Sequence, residues 1–344
     1  MRGPGANRGP FVIPTAPETP ETPETPETPE PRPAEPVLAL DLGGTQLRTA
    51  LVLPDGTLIA RRSEPTPRAA DAMVDAAVRA LRAAAEAADG AGLAKPAALG
   101  ISAPGPLDPW QGVLIDPPNL DRALWGFPLA ATLGEALGVA AFLERDTQVA
   151  ALAEGEFGAA RGERDYVYLT VSTGIGGGVV IGNKLMRGPD GLAGELGHLT
   201  VDLDGRLCGC GARGHLEAIS SGTGIAHAAR DHGLGDISAA QVAALEDAGD
   251  ATAAQIMDYA RRSFAAAVVS IVDVFNPTRV VVGGGIAIGQ GERLLQPARD
   301  AVEQLSFRRQ AARVAVVPAL LGDDVGLIGA LSLVRLARVG EDRN

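Results

Sequence analysis

The sequence predicts an α/β protein made of two similar halves. Three observations carry this expectation. Apolar runs of strand length alternate with alanine-rich helical stretches, and a strand, glycine turn, strand unit occurs twice, once in each half. The composition is 46% apolar but only 3% aromatic, which suits small side chains packed tightly between helices and sheets. At 344 residues the chain has room for two cores.

Residues 1–36 stand apart. Glu-Thr-Pro repeats four times between Glu18 and Pro29, a pattern that blocks helix and favours extended polyproline conformations. A solvated, disordered tail is expected. From Val37, "VLALDLGGTQLRTALVLPDGTLIARRSE" reads as strand, glycine turn, strand, Asp-Gly turn, strand. The alanine-rich helix "RAADAMVDAAVRALRAAAEAA" and the strand "PAALGIS" come next, then an irregular Pro/Gly loop, "APGPLDPWQGVLIDPPNLDRALWG". The strand "VAAFLE" runs into a helix, "RDTQVAALAEGEFGAA", with an Asp near its start. The second cycle opens with "DYVYLTVSTGIGGGVVIGNKLM", again strand, glycine turn, strand. A long helix, "AAQIMDYARRSFAAAVVSIVDVFN", precedes "RVVVGGGIA", a strand ending in a glycine turn. The amphipathic "VGLIGALSLVRLARV" closes the chain.

The formal net charge of −12 argues against a nonspecific nucleic-acid surface or an anionic membrane patch. It excludes little about small molecules, because phosphates are held locally by backbone N–H groups and a metal ion. Cys208 and Cys210 are the only two cysteines, too few and too close for a disulfide framework. With no apolar run of spanning length and no apolar signal segment, a cytoplasmic protein is expected.

Two glycine turns, "DLGGT" at Asp41 to Thr45 and "STGIGGG" at Ser172 to Gly178, expose backbone N–H groups between strands. Neither fits a Walker loop or a dinucleotide turn, which both open a helix. One such turn is usually a plain hairpin; two, one in each half, suggest that duplicated halves clasp one polyphosphate. A third glycine run, Val280 to Ala287, ends another strand. Between them, "GELGHLTVDLDGRLCGCGARGHLE" gathers His198, Cys208, Cys210 and His215 in the spacing H-x9-C-x-C-x4-H, a tetrahedral zinc set with no open position.

The ordered series DLGGT, APG, a strand entering an Asp-led helix, STGIGGG, ELGH, C-G-C-G-x-x-G-x-L-E and VVVGGG resembles the ROK family of sugar kinases over residues 37–340. The resemblance implies an actin-like (ribonuclease H-like) duplicated fold, two α/β domains with ATP and sugar meeting in the cleft between them. It divides the chain into a small domain, 37–143 plus 326–341, and a large domain, 144–325, that carries the zinc loop. It assigns Gly43, Gly44 and Thr45 to the first phosphate loop, Thr173 and Gly174 to the second, and Gly283, Gly284 and Gly285 to the adenosine. Asp41 would orient Mg2+-bound phosphates through water.

By the same resemblance Asp146 is the catalytic base, and Asn119, Glu195, His198 and Glu217 hold the sugar, His198 also ligating zinc. Losing one hydrogen bond to a charged group costs about 1.5–3 kcal/mol, enough to choose between epimers. Three positions depart from the family pattern. His215 replaces a third cysteine, and Arg145 and Gln148 replace the two asparagines of an Asn-Asp-x-Asn sequence. Arg145 therefore either meets a different sugar substituent or points away. The expected activity is ATP-dependent glucose phosphorylation by a homodimer. Mannose, fructose, N-acetylmannosamine or N-acetylglucosamine as acceptor, and polyphosphate as donor, stay open. A sugar-sensing regulator of the same family would need a helix-turn-helix, which the first 36 residues do not encode.

Overall fold

The computed structural model describes residues 35–341; residues 1–34, which hold nearly all of the expected tail, and residues 342–344 lie outside the described residues. In the first half β1 (Val37–Leu42) pairs antiparallel with β2 (Gln46–Val52), and β2 with β3 (Leu58–Pro65). On its other side β1 runs parallel to β4 (Ala98–Ala103). A short ladder of β5 (Leu107–Asp108) and β6 (Val113–Leu114) follows, and β7 (Ala140–Arg145) then joins β4 in parallel. The sheet order is β3-β2-β1-β4-β7.

The second half repeats this plan. β8 (Tyr166–Val171), β9 (Ile175–Ile181) and β10 (Lys184–Leu185) form the antiparallel meander, and β11 (Arg279–Gly283) and β12 (Ala315–Pro318) add in parallel beside β8. The order β10-β9-β8-β11-β12 is the first sheet's order with the same pairing senses. The duplication visible in two glycine turns thus extends to both sheets.

Helices cover both faces. Along β1, Leu38, Leu40 and Leu42 face Met73 and Leu81 of α1 (Ala70–Gly90) and Leu129 and Leu133 of α2 (Leu129–Leu137). The alternate residues Val37 and Ala39 face another helix, α11, at the end of the chain. This period-two division of an all-buried strand is why β1 reads as a continuous apolar run. Leading out of β7 is α3 (Asp146–Glu156), whose Ala150 and Ala151 pack on Tyr166 and Tyr168 of β8.

The second half then adds α4 (Leu216–Ser220), α5 (Gly222–Asp231), α6 (Ala239–Asp247), α7 (Ala251–Phe275), α8 (Gly285–Gln290), α9 (Glu292–Leu305), α10 (Arg308–Ala311) and α11 (Val325–Glu341). Phe264, Val268 and Ile271 of α7, with Leu294 and Leu295 of α9, cover the outer face of the second sheet.

Between the sheets lie α3 and α11, one against each inner face and against each other. The approach is close enough to require glycine. A Cβ on Gly329 would lie 2.4 Å from the Val149 carbonyl of α3, and one on Gly100 would lie 2.3 Å from the Ala330 carbonyl. No described helix is long and apolar enough to cross a membrane.

Strands β1 to β4, β7 to β9 and β11 and helices α1, α3, α7 and α11 follow the sequence reading, whereas β12, α4, α5, α6, α9 and α10 are not expected from it, and two further differences stand out. The Pro/Gly stretch holds the β5–β6 ladder, and nine residues after it form α2, bounded by Pro128 and by Gly138 at φ 70°. So short a helix between breakers gives little periodicity. The third glycine run does not end in a bare turn: Gly284, at φ 93°, caps α8.

Gly100→Ala is expected to destabilise the fold by about 1–3 kcal/mol through overpacking. A urea melt should show a lower midpoint at unchanged slope; an unchanged midpoint would mean that α11 is not seated on β4 as described.

Candidate active site

The first glycine turn is a tight hairpin in which the Gly43 N–H donates to the Gln46 carbonyl at 2.9 Å. Thr66 fastens it from outside, its Oγ1 donating to the Gly43 carbonyl at 2.7 Å and its N–H to the Thr45 carbonyl at 3.0 Å. Gly44 and Thr45 stay exposed. Asn119, also exposed, crosses directly over this turn, since a Cβ on Gly44 would sit 2.3 Å from its carbonyl oxygen. The Pro/Gly loop therefore brings Asn119 to the first hairpin.

Asp41 ends β1 and is buried. Ser102 Oγ donates to its carboxylate at 2.9 Å, and Arg48 Nη2 pairs with it at 2.5 Å. Burial pushes its pKa up, with Arg48 opposing. Arg48 and Ser102 were not singled out from sequence. Both sit where a strand alternation carries a polar side chain toward a covered end, which is the signal available there.

The second hairpin is braced by the start of α5: the Gly222 N–H donates to the Ser172 carbonyl at 2.8 Å and the Thr223 N–H to the Thr173 carbonyl at 3.1 Å. Thr173 is exposed, and Gly174 leans on Glu217. Glu217 accepts the Ile175 N–H at 2.9 Å through Oε2, so one of its oxygens already serves this loop. Gly283 and Gly284 lie against Tyr168 and the Val171 carbonyl beside the same hairpin. Next to Gly285 opens a cavity of about 180 Å³ lined by Ile225, Ala239, Ala243, Met257 and Ile286. Its lining is mostly apolar, as a site for an aromatic base would be. These residues come from four helices, α5 to α8, so no local motif marks them. A larger groove, about 430 Å³ beside edge strand β7 and Trp110, contains none of the predicted site residues.

Asp146 is the first residue of α3. Its Oδ1 accepts the Thr147 N–H at 2.7 Å, and it caps no other backbone group. The side chain opens to the cleft, yet the protein around it leaves little solvent to stabilise its charge. Desolvation first, with Asp41 and Glu195 adding repulsion against the help of Thr147 and Arg145, raises its pKa to about 6. Asp41, Arg145, Asp146 and Glu195 therefore share one electrostatic neighbourhood.

Arg145 neither reaches outward nor stands free in the sugar site. It is 3% exposed, pairs through Nη1 with Glu195 and donates through Nη2 to the Ala193 carbonyl. Gln148 is fully buried, its amide donating to the Ala193 carbonyl at 3.0 Å.

His198, Cys208, Cys210 and His215 converge, their ligand atoms all within 4.8 Å of one another. The two Nδ1 atoms are 3.0 Å apart, Cys210 Sγ is 3.3 Å from His215 Nδ1, and Cys208 Sγ is 4.0 Å from His198 Nδ1. Ligands about a tetrahedral zinc at ordinary bond lengths are roughly 3.3–3.8 Å apart, and the separations here lie on both sides of that range, so the four side chains could hold the ion after small shifts. Burial, with the neighbouring Cys210 adding to it, pushes the Cys208 thiol up, so metal binding would release a proton. His198 keeps Nε2 turned toward Glu195, 3.9 Å from its Oε2. Glu217 Oε1 lies 4.0 Å from Cys208 Sγ and so joins the cluster to the second hairpin.

Comparison with known proteins gives the family. Residues 37–337 match the profile of the ROK family. A glucokinase of Thermotoga maritima is 34% identical over 319 residues, covering 88% of this chain and 98% of the relative. An N-acetylmannosamine kinase of Shigella flexneri is 36% identical over 300 residues, covering 87% and 98%. The crystal structure of a ROK family glucokinase from Streptomyces griseus in complex with glucose and AMPPNP superposes with a TM-score of 0.71 at 31% identity, over 87% of this chain and 98% of that one.

Asp146 binds its proton more tightly in the folded chain, at about 6, than at its ordinary 3.8. Stability therefore falls as pH rises through that window. Asp146→Asn is expected to raise the thermal midpoint at pH 7.5 and to change it little at pH 4. Equal shifts at both pH values would rule out the desolvated carboxylate.

Proposed function

The chain belongs to the ROK family, and from that premise we propose that this sugar kinase is a glucokinase, transferring the γ-phosphoryl group of ATP to the 6-hydroxyl of glucose. The observation that carries the reading is the setting of Asp146. It is a desolvated carboxylate at the mouth of α3, near the Asp41 end of β1 and the Glu195–His198 turn. A base poised near pH 6 suits proton abstraction from a hydroxyl at neutral pH.

In this reading Asn119, Glu195, His198 and Glu217 hold the sugar. Asp146 takes the proton from the attacking hydroxyl as the new O–P bond forms and the bond to the departing ADP oxygen breaks. The exposed turns Gly43–Thr45 and Thr173–Gly174 cradle the phosphates with backbone N–H groups, each delivered by the same place in a repeated sheet. Adenosine runs along Gly283–Gly285 with its base in the apolar cavity beside Gly285. Magnesium, held through water by Asp41, would neutralise charge across the β- and γ-oxygens.

Zinc on His198, Cys208, Cys210 and His215 would be structural, fixing the His198 ring so that Nε2 faces the sugar. The domain division at residues 143/144 and 325/326, a homodimer and a cytoplasmic setting complete the reading.

A second acceptor has a specific observation in its favour: the N-acetylmannosamine kinase is as similar to this chain as the glucokinase. Sugar-dependent ADP release with Mg-ATP, run on glucose, mannose, fructose, N-acetylglucosamine and N-acetylmannosamine, decides between them, and the glucokinase reading expects glucose to give the highest kcat/KM. In that assay Asp146→Asn should lower kcat by about 10²–10⁴-fold while sugar binding is kept. Turnover near that of the unmodified protein would remove Asp146 as the base. Elemental analysis should find close to one zinc per chain, and none would sink the zinc assignment.

A further inference from the structure

Strand β7 is apolar until it ends in Glu144 and Arg145, which are 0% and 3% exposed. Burying two adjacent opposite charges is costly unless each finds a partner. Both find theirs in one loop. Glu144 Oε2 pairs with Arg187 Nε at 2.6 Å, and Arg145 pairs with Glu195. The polarity is crossed, an acid and a base on the strand answering a base and an acid on the loop.

The loop between these anchors is closed on itself by the Ala193 N–H, which donates to the Arg187 carbonyl at 2.9 Å. One turn into α3, Gln148 donates to the Met186 carbonyl at 3.3 Å and to the Ala193 carbonyl at 3.0 Å. The junction of residues 144–148 thus grips the loop at Met186, Arg187, Ala193 and Glu195, with Asp146 in the middle of the grip. The Arg145 stem passes over Gly105, where a Cβ would come within 2.9 Å of Cδ, so the first half is shaped to let the guanidinium through.

We propose that Arg145 is a positioning residue that determines sugar selectivity by fixing the Glu195 carboxylate over Asp146. The role rests on the sugar-kinase reading and goes beyond it. One Glu195 oxygen is committed to Arg145, and the other is left facing His198 Nε2 across 3.9 Å. The pair presents one acceptor and one ring nitrogen to neighbouring hydroxyls at a height set by the clamp. Arg145, spent on Glu195 and Ala193, holds the reader in place without touching the sugar.

The test is a double-mutant cycle on the full chain with Arg145→Met, Arg145→Lys, Glu195→Gln and the double change Arg145→Met/Glu195→Gln. Arg145→Met should raise the sugar KM at least tenfold, leave the ATP KM within twofold and flatten the preference among the assayed sugars. Arg145→Lys, which keeps the charge but not the fork, should recover part of the loss. Adding Arg145→Met to Glu195→Gln should change the sugar KM by less than twofold.

Effects of the two changes that multiply in full would overturn the role, because Arg145 would then meet the sugar independently. An unchanged sugar KM would overturn it as well, as would a uniform loss of kcat that tracks a lowered thermal midpoint. If Arg145→Met does not fold, Arg145→Lys alone carries the cycle. Absence of sugar-dependent ADP release from the unmodified protein overturns the kinase reading itself, before any variant is compared.

Discussion

The two halves of this molecule are tied together by the contact between α3 and α11, where Gly329 sits directly against the Val149 carbonyl and side chain. Gly329 lets α11 touch the Val149 carbonyl, and Gly100 lets β4 touch α11 in turn. At such distances the interface has one geometry, because a backbone carbonyl cannot swing aside as a side chain can. The N-terminus of α3 carries Asp146. The first turn of α11 carries Gly326, against which the Asp41 carboxylate rests. The spacing of the two cleft carboxylates is therefore inherited from a helix crossing rather than from the loops around them.

The carboxylates of the cleft are chemically alike and are set apart by what each is bonded to. Asp41 is neutralised by Arg48 and held by Ser102. Glu217 spends one oxygen on the Ile175 N–H, and Glu195 spends one on Arg145. Asp146 accepts only the Thr147 N–H, and desolvation in the cleft raises its pKa to about 6. Chemically alike groups thus differ here in how many partners each is given.

What the sequence disclosed follows from what is local. Glycine turns between strands and the Cys-x-Cys knuckle are short-range patterns, and they mark both hairpins and the four converging residues, whereas Asp146 is singled out through the family resemblance. The fate of Arg145 was not legible, because its partners lie 48 and 50 residues away and a strand end next to a base offers several directions for a long side chain. The apolar cavity beside Gly285 was hidden for the same reason: Ile225, Ala239 and Met257 reach it from separate helices. The helices α2, α4, α5, α6, α8 and α10 escaped notice because each is short and depends on tertiary packing, and α9 because Pro297 interrupts its pattern.

The placement of α11 has a consequence for how the chain folds. The inner face of the first sheet, Val37, Ala39, Ala50, Val52 and Ala98, is covered by Leu327, Ala330, Leu331 and Val334, which follow the whole second sheet in the chain. The second sheet, by contrast, receives α3, α7 and α9 from its own stretch of chain. The first sheet is thus closed by a segment that lies beyond the entire second sheet in the chain, so its inner face depends on a contact of long sequence separation.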